Sequence, residues 1–130
     1  ADTGGCTYEE KAAASCHGTA GGAYIAQLAG QRDTEMVNAA IRHIKSQAPG
    51  IFTGARYYSY GHYYAIQAMV QAGDEEYSKW YPQIRDALIS KQNAKGALGT
   101  VNKSGGISYE TPMAIIILAT PHRYIPIYQR

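Results

Sequence analysis

Tyr57-Tyr58-Ser59-Tyr60-Gly61-His62-Tyr63-Tyr64-Ala65-Ile66-Gln67-Ala68-Met69-Val70-Gln71-Ala72-Gly73 is the stretch that decides the fold. Five of the twelve tyrosines fall within its first eight residues. Tyr57, Tyr60, Tyr64, Ala68 and Gln71 recur three and four residues apart, the spacing of one helical face, while Tyr63, Ile66, Met69 and Val70 fill the adjoining faces. A helix apolar nearly all round is a buried one. Gly73 stands where a glycine ends a helix, and Asp74, Glu75 and Glu76 open the next as cap and dipole-favoured acids. The stretch therefore predicts a buried helix that turns tightly into another.

Upstream, Thr19 to Ala29 is small or apolar on every side and predicts a second buried helix, ended by Gly30. Asp33 or Thr34 then caps a helix to about Ser46, with Met36, Val37, Ala40, Ile41 and Ile44 as its apolar stripe. Downstream, Glu75 to about Asn93 carries the stripe Tyr77, Trp80, Tyr81, Ile84, Ala87 and Leu88, and Pro82 inside it implies a kink or a fresh start. Lys95 to Tyr109 reads as a glycine-bearing loop, within which Asn102-Lys103-Ser104 matches the glycosylation sequon. Thr111 and Pro112 read as the cap and first residue of an apolar helix, Met113 to Ala119, that Pro121 closes. The order is buried, amphipathic, buried, amphipathic, buried, with about 40 residues per pair, the signature of stacked helical hairpins. The expected class is all-α, with about five helices.

At 130 residues the chain is one domain by length, read as a lead-in segment at 1–17 and a helical domain at 18–130. Its formal net charge of +2, without a basic cluster, lacks the footprint of a nucleic-acid binder. No apolar run approaches the roughly 20 residues that span a bilayer. Ala1-Asp2-Thr3-Gly4-Gly5 looks like a terminus left by signal-peptide cleavage, so an exported protein is expected, although recombinant expression can leave the same end. Cys6 and Cys16 agree with a single disulfide in an oxidising compartment, stapling the lead-in to the first helix; spacing alone does not show that they meet.

Three segments carry a resemblance. Tyr63-Tyr64-Ala65-x-Gln67-Ala68-x-x-Gln71-Ala72-Gly73 is followed by Trp80-Tyr81-Pro82-x-x-Arg85-Asp86-x-Leu88, and then by Thr111-x-Met113-Ala114 through Arg123-Tyr124-Ile125-Pro126-Ile127-Tyr128-Gln129. Together they resemble the C-terminal repeats of bacterial proteins in the prenyltransferase and squalene-cyclase α/α-toroid superfamily. The resemblance implies inner helices ringed by outer ones, here an incomplete toroid of two and a half hairpins. It does not carry the chemistry of the enzymes. The Asp-x-Asp-Asp acid motif has no counterpart, since Asp2, Asp33, Asp74 and Asp86 stand singly. In Gln92-Asn93-Ala94-Lys95-Gly96-Ala97-Leu98, Lys95 and Leu98 replace the Asp and Trp of the repeat pattern. No cysteine follows Cys16 to serve as a zinc ligand.

The candidate sites follow. Tyr57, Tyr60, His62, Tyr64 and Trp80 line either a ligand pocket, for an isoprenoid or a cation, or simply the core. Cys16-His17 matches the last two residues of a c-type haem attachment motif, but Ala13 stands where the first cysteine belongs, so no haem is expected; nor is zinc at Cys6, Cys16 and His17. An arc with too few hairpins to close exposes apolar flanks, which predicts self-association through Tyr24, Tyr57, Tyr58, Tyr124, Ile125 and Ile127. The functional expectation is a non-catalytic, secreted structural protein that assembles head to tail into a filament or ring. The alternative is a lipid-binding or lipid-modifying protein.

Overall fold

A computed structural model of the chain describes residues 4–7, 14–47, 58–98 and 106–123. Among them are five α-helices and a short 3-10 turn, with no strand: α1 (Cys16–Leu28), α2 (Glu35–Ser46), α3 (Tyr58–Ala72), α4 (Asp74–Ile89), α5 (Ile107–Leu118) and the turn Thr120–His122. The protein is all-α.

Local chemistry sets most of the boundaries. Ser15 caps α1, its hydroxyl accepting from the Gly18 amide at 3.1 Å, so α1 starts three residues before the expected Thr19. Thr34, rather than Asp33, caps α2 by accepting from the Val37 amide. Gly73 is the single residue between α3 and α4, and its φ of 127° belongs to glycine alone. It also serves as the N-cap of α4, which places Asp74, Glu75 and Glu76 in the first turn, where the helix dipole favours them. Pro82 lies within a continuous α4, so no fresh helix starts there. At α5 the sequence reading needs correction. The helix opens at Gly106, with φ of 62°, and Thr111 is its fifth residue rather than its cap. The Thr111 hydroxyl is engaged elsewhere, accepting from the Leu98 amide at 3.1 Å and fastening Leu98 to α5.

The packing around α3 defines two layers. Along α1, His17, Tyr24 and Gln27 meet Tyr60, Tyr64 and Ala68 of α3 in rising order, so the two helices run parallel. Gln27 Nε2 donates to the Ala68 carbonyl at 3.1 Å. Ser59 of α3 donates its hydroxyl to Glu110 of α5. Ser59 and Ala68 are nine residues apart, about half a revolution at ~100° per residue, so α1 and α5 flank α3 on opposite sides. Behind them, α4 returns antiparallel through His62 against Trp80 and through Lys91, whose Nζ lies 4.5 Å from the Tyr58 ring centroid. α2 packs mainly on α1 and reaches α4 through Lys45 and Glu76, 2.6 Å apart but out of hydrogen-bonding alignment. The inner layer is thus α1, α3, α5 and the outer layer α2, α4, in the alternation read from the sequence. Ala20, Ala23, Val37, Ile44, Ala65, Ile66, Met69, Trp80, Ile84, Leu88, Ala114 and Ile117 fill the core between them.

Residues 4–7 lie over α1 and α2. The Cys6 amide donates to Thr19 Oγ1 at 2.8 Å and its carbonyl accepts from the Ser15 amide at 3.1 Å, while Gly4 approaches Ala39 so closely that a Cβ would overlap its carbonyl. Both cysteines are free thiols, and the expected Cys6–Cys16 disulfide is not made. The helix separates them. Cys6 Sγ faces Gly22, 3.2 Å from where a Cβ would stand, whereas Cys16 begins α1 six residues earlier, about 9 Å along the axis, and packs against the core.

The two helices that flank α3 keep exposed apolar side chains. Ile25 of α1 is 65% exposed, with Leu28 beside it, and Ile115 of α5 is 60% exposed, with Ile107 also open to solvent. This corrects the expectation that α1 and α5 are buried all round: each buries only the side facing its neighbours. Met36, assigned to the α2 stripe, is likewise exposed.

Candidate functional site: the tyrosine face of the inner layer

α3 turns one face away from α4, and at the C-terminal end of that face Gln71 shares a cleft with Val37, Asn38 and Ile41 of α2. Tyr60, Gln67 and Gln71 fall within about 40° of one another around its axis, and His62, which meets α4, lies on the far side. Tyr63 and Tyr64 border this front face toward α5 and α1. The rings form a connected cluster of edge contacts, Tyr60 to Tyr64 at 4.8 Å, Tyr63 to Tyr64 at 5.1 Å and Tyr24 of α1 to Tyr64 at 6.1 Å between centroids. His17 of α1 meets Tyr60 at 6.5 Å. Burial lowers the His17 pKa from its usual value, which keeps the ring neutral near pH 7. Tyr109 of α5 is part of the same environment, since burial raises its pKa and the charges of Glu110 and Tyr64 add to the effect.

The front face grades from wet to dry along α3. Tyr60 is 41% exposed, Tyr63 and Tyr64 are half-buried, and Gln67, one turn further on, is 1% exposed. Neither Oε1 nor Nε2 of Gln67 has a hydrogen-bond partner among the described residues. An amide that satisfies neither its acceptor nor its donors in a dry site costs on the order of 1–3 kcal/mol. That cost marks Gln67 as the residue of this face that packing alone does not explain.

A second polar cluster lies on the opposite side of α3. Ser59 and Glu110 are both about 2% exposed and bonded to each other across the α3–α5 seam. Tyr58 stacks edge-on to His62 at 4.6 Å, and His62 is 6.4 Å from Trp80. Burial pushes the Tyr58 phenol up to about 12, with Glu110 contributing in the same direction. The Lys91 ammonium over the Tyr58 ring is a cation–π contact that ties the end of α4 to the start of α3. Ser59 donates to the Glu110 carboxyl, a bond that links α3 to α5. The chemistry of the cluster is that of a seam between helices.

The residues singled out from the sequence are therefore divided. Tyr60 and Tyr64 belong to the front face, while His62 and Trp80 are core residues on its far side. Tyr24 and Tyr58, named as interface residues, are buried, whereas Ile25 and Leu28 of α1 and Ile107 and Ile115 of α5 are exposed. Tyr57, Tyr124, Ile125 and Ile127 lie outside the described residues. Sequence reasoning missed Gln67, Tyr109 and the Ser59–Glu110 pair. The three-and-four spacing from Tyr60 to Gln67 was a signal for the first; the pairing of Ser59 with Glu110, 51 residues apart, left none.

Among the described residues no group of three His, Cys, Asp or Glu side chains is placed to hold a metal ion, and no helix is long and apolar enough to cross a membrane. Compared with known protein families, curated proteins and solved structures, the chain matches none.

Proposed function

We propose that the chain is a non-catalytic structural protein that joins copies of itself, the α5 edge of one against the α1 edge of the next. The observation that carries this reading is an exposed isoleucine on each of the two helices that flank α3, Ile25 of α1 and Ile115 of α5, each about 100° or more around its helix from the residue that meets α3. Within the chain, inner helices already pair side by side, α1 with α3 and α3 with α5. An α5-to-α1 contact between copies repeats that relation, and because the two edges differ it is heterologous, giving a ring if the rotation closes and a filament if it does not. The resemblance to an α/α toroid supports the same geometry, since inner helices there also pair around a ring. The lack of paired acids or a zinc-ligand set in the sequence supports a role without catalysis.

Light scattering and electron microscopy of the untreated protein at micromolar concentration test the reading. Particles several times the 14.1 kDa chain mass are expected, and a monodisperse monomer overturns it.

A further inference from the structure

We propose that the cleft between α2 and the α3–α4 junction binds a small zwitterion, an α-amino acid with an apolar side chain, with Arg32 holding its carboxylate and Asp33 its ammonium. This inference stands apart from self-association, since neither Ile25 nor Ile115 lines the cleft. Its size, its floor and its charges select the ligand class.

The cleft holds about 260 Å³. Pockets for drug-sized ligands run from roughly 300 to 1,000 Å³, so this one suits a smaller molecule. Ile41 of α2 and the half-buried Ala72 at the end of α3 give it an apolar floor, with Val37 one turn before Ile41. Such a floor receives a short aliphatic or aromatic side chain. Among the charged residues that line the cleft, Arg42 and Lys45 are already committed: Arg42 Nη2 lies 2.5 Å from Glu35 Oε1, and Lys45 Nζ lies 2.6 Å from Glu76 Oε2. Arg32 and Asp33, adjacent and exposed in the turn between α1 and α2, differ. Neither side chain makes an ion pair or a hydrogen bond among the described residues, with the other or with a third group. Two open charges of opposite sign on one cleft match a ligand that carries both. A simple anion at Arg32 would meet the Asp33 carboxylate beside it, and a simple cation at Asp33 would meet the guanidinium. In a zwitterion the carboxylate accepts from the planar fork of Arg32, the ammonium donates to Asp33, and the side chain turns inward onto Ile41 and Ala72.

The test titrates the full chain separately with L-leucine, L-methionine and L-phenylalanine, following amide chemical shifts and heat. Two further titrations use 4-methylpentanoate and 3-methylbutylamine, the leucine skeleton without its amine and without its carboxylate. At least one amino acid should bind at millimolar concentration and shift amide resonances of residues 32–45 and 71–76. Arg32→Gln and Asp33→Asn, both at exposed positions, should each weaken that binding roughly tenfold, the loss of one charge-assisted contact. Arg42→Gln should leave it within about twofold, because that guanidinium is held by Glu35; this separates a specific contact from general attraction to a basic surface. Binding of 4-methylpentanoate or 3-methylbutylamine as tight as that of the best amino acid overturns the zwitterion assignment. Absence of binding by all three amino acids, binding that neither Arg32→Gln nor Asp33→Asn weakens, or an equal loss from Arg42→Gln overturns the proposal.

Discussion

Ser59→Ala removes one hydroxyl from the α3–α5 seam and leaves the Glu110 carboxyl, 2% exposed, without the donor that Ser59 supplies. The lost volume is a single oxygen, so the effect is electrostatic and not a cavity. Hydrogen bonds to carboxyl groups in such sites contribute ~1.5–3 kcal/mol, which puts the expected loss at about 2 kcal/mol. For a chain of this size that is a fall in melting temperature of ~8 °C. Urea unfolding followed by far-ultraviolet circular dichroism measures it, with an unchanged m-value as the check that the native state has kept its compactness. The double variant Ser59→Ala with Glu110→Met replaces both polar partners by apolar groups and should recover most of the loss, because neither partner is then left buried alone. If Ser59→Ala stays within about 0.5 kcal/mol of the parent, or the double variant is no better than the single one, the seam is not held by this bond.

Three further outcomes follow from the same structure. Burial pushes the Cys16 thiol up to about 12 from 9.0, which lowers its thiolate fraction, so alkylation of Cys16 by iodoacetamide at pH 8 should be markedly slower in the native chain than in urea, as mass spectrometry of the labelled peptide will report. The same shift, with those of Tyr58 and Tyr77 to about 12 from 10.0, sets an alkaline limit: folded values lie above unfolded ones, so the stability involved is complete below about pH 9 and is lost as pH rises toward 12. Cys16→Ala should remove the earliest part of that loss in a pH series of thermal melts. Gly73→Ala forces a side chain into a φ of 127° between α3 and α4 and should cost on the order of 1–3 kcal/mol in urea unfolding; a neutral result would show that the tight turn relaxes freely.

Much of the fold was legible because its signals are local. Thr34 and Gly73 each mark a boundary through their own backbone chemistry, and the contrast between α2, with one apolar stripe, and α3, apolar nearly all round, separates outer from inner helices. The start of α5 was misread because Thr111-Pro112 has the composition of a cap, yet Gly106 supplies the turn earlier and the Thr111 hydroxyl is taken by Leu98. Which side of α3 faces out could not be read from tyrosines, since a ring with a hydroxyl suits both core and surface, and only the positions of α1, α4 and α5 distinguish Tyr58 from Tyr60. The cysteines failed for a related reason: ten residues of separation say nothing about which sides of α1 the two sulfurs face.

The central claim is that the α1 and α5 edges are complementary to each other, and mixing two blocked variants tests it most directly. Ile25→Lys closes the α1 edge and Ile115→Lys closes the α5 edge, both at exposed positions where the fold is not at stake. Each variant alone should sediment as a monomer of about the 14.1 kDa chain mass, because neither keeps a complementary pair of edges. An equimolar mixture should form a heterodimer and nothing larger, through the one intact edge that each contributes. A parent chain that sediments as a monomer, or a mixture that stays monomeric while the parent assembles, would contradict the account.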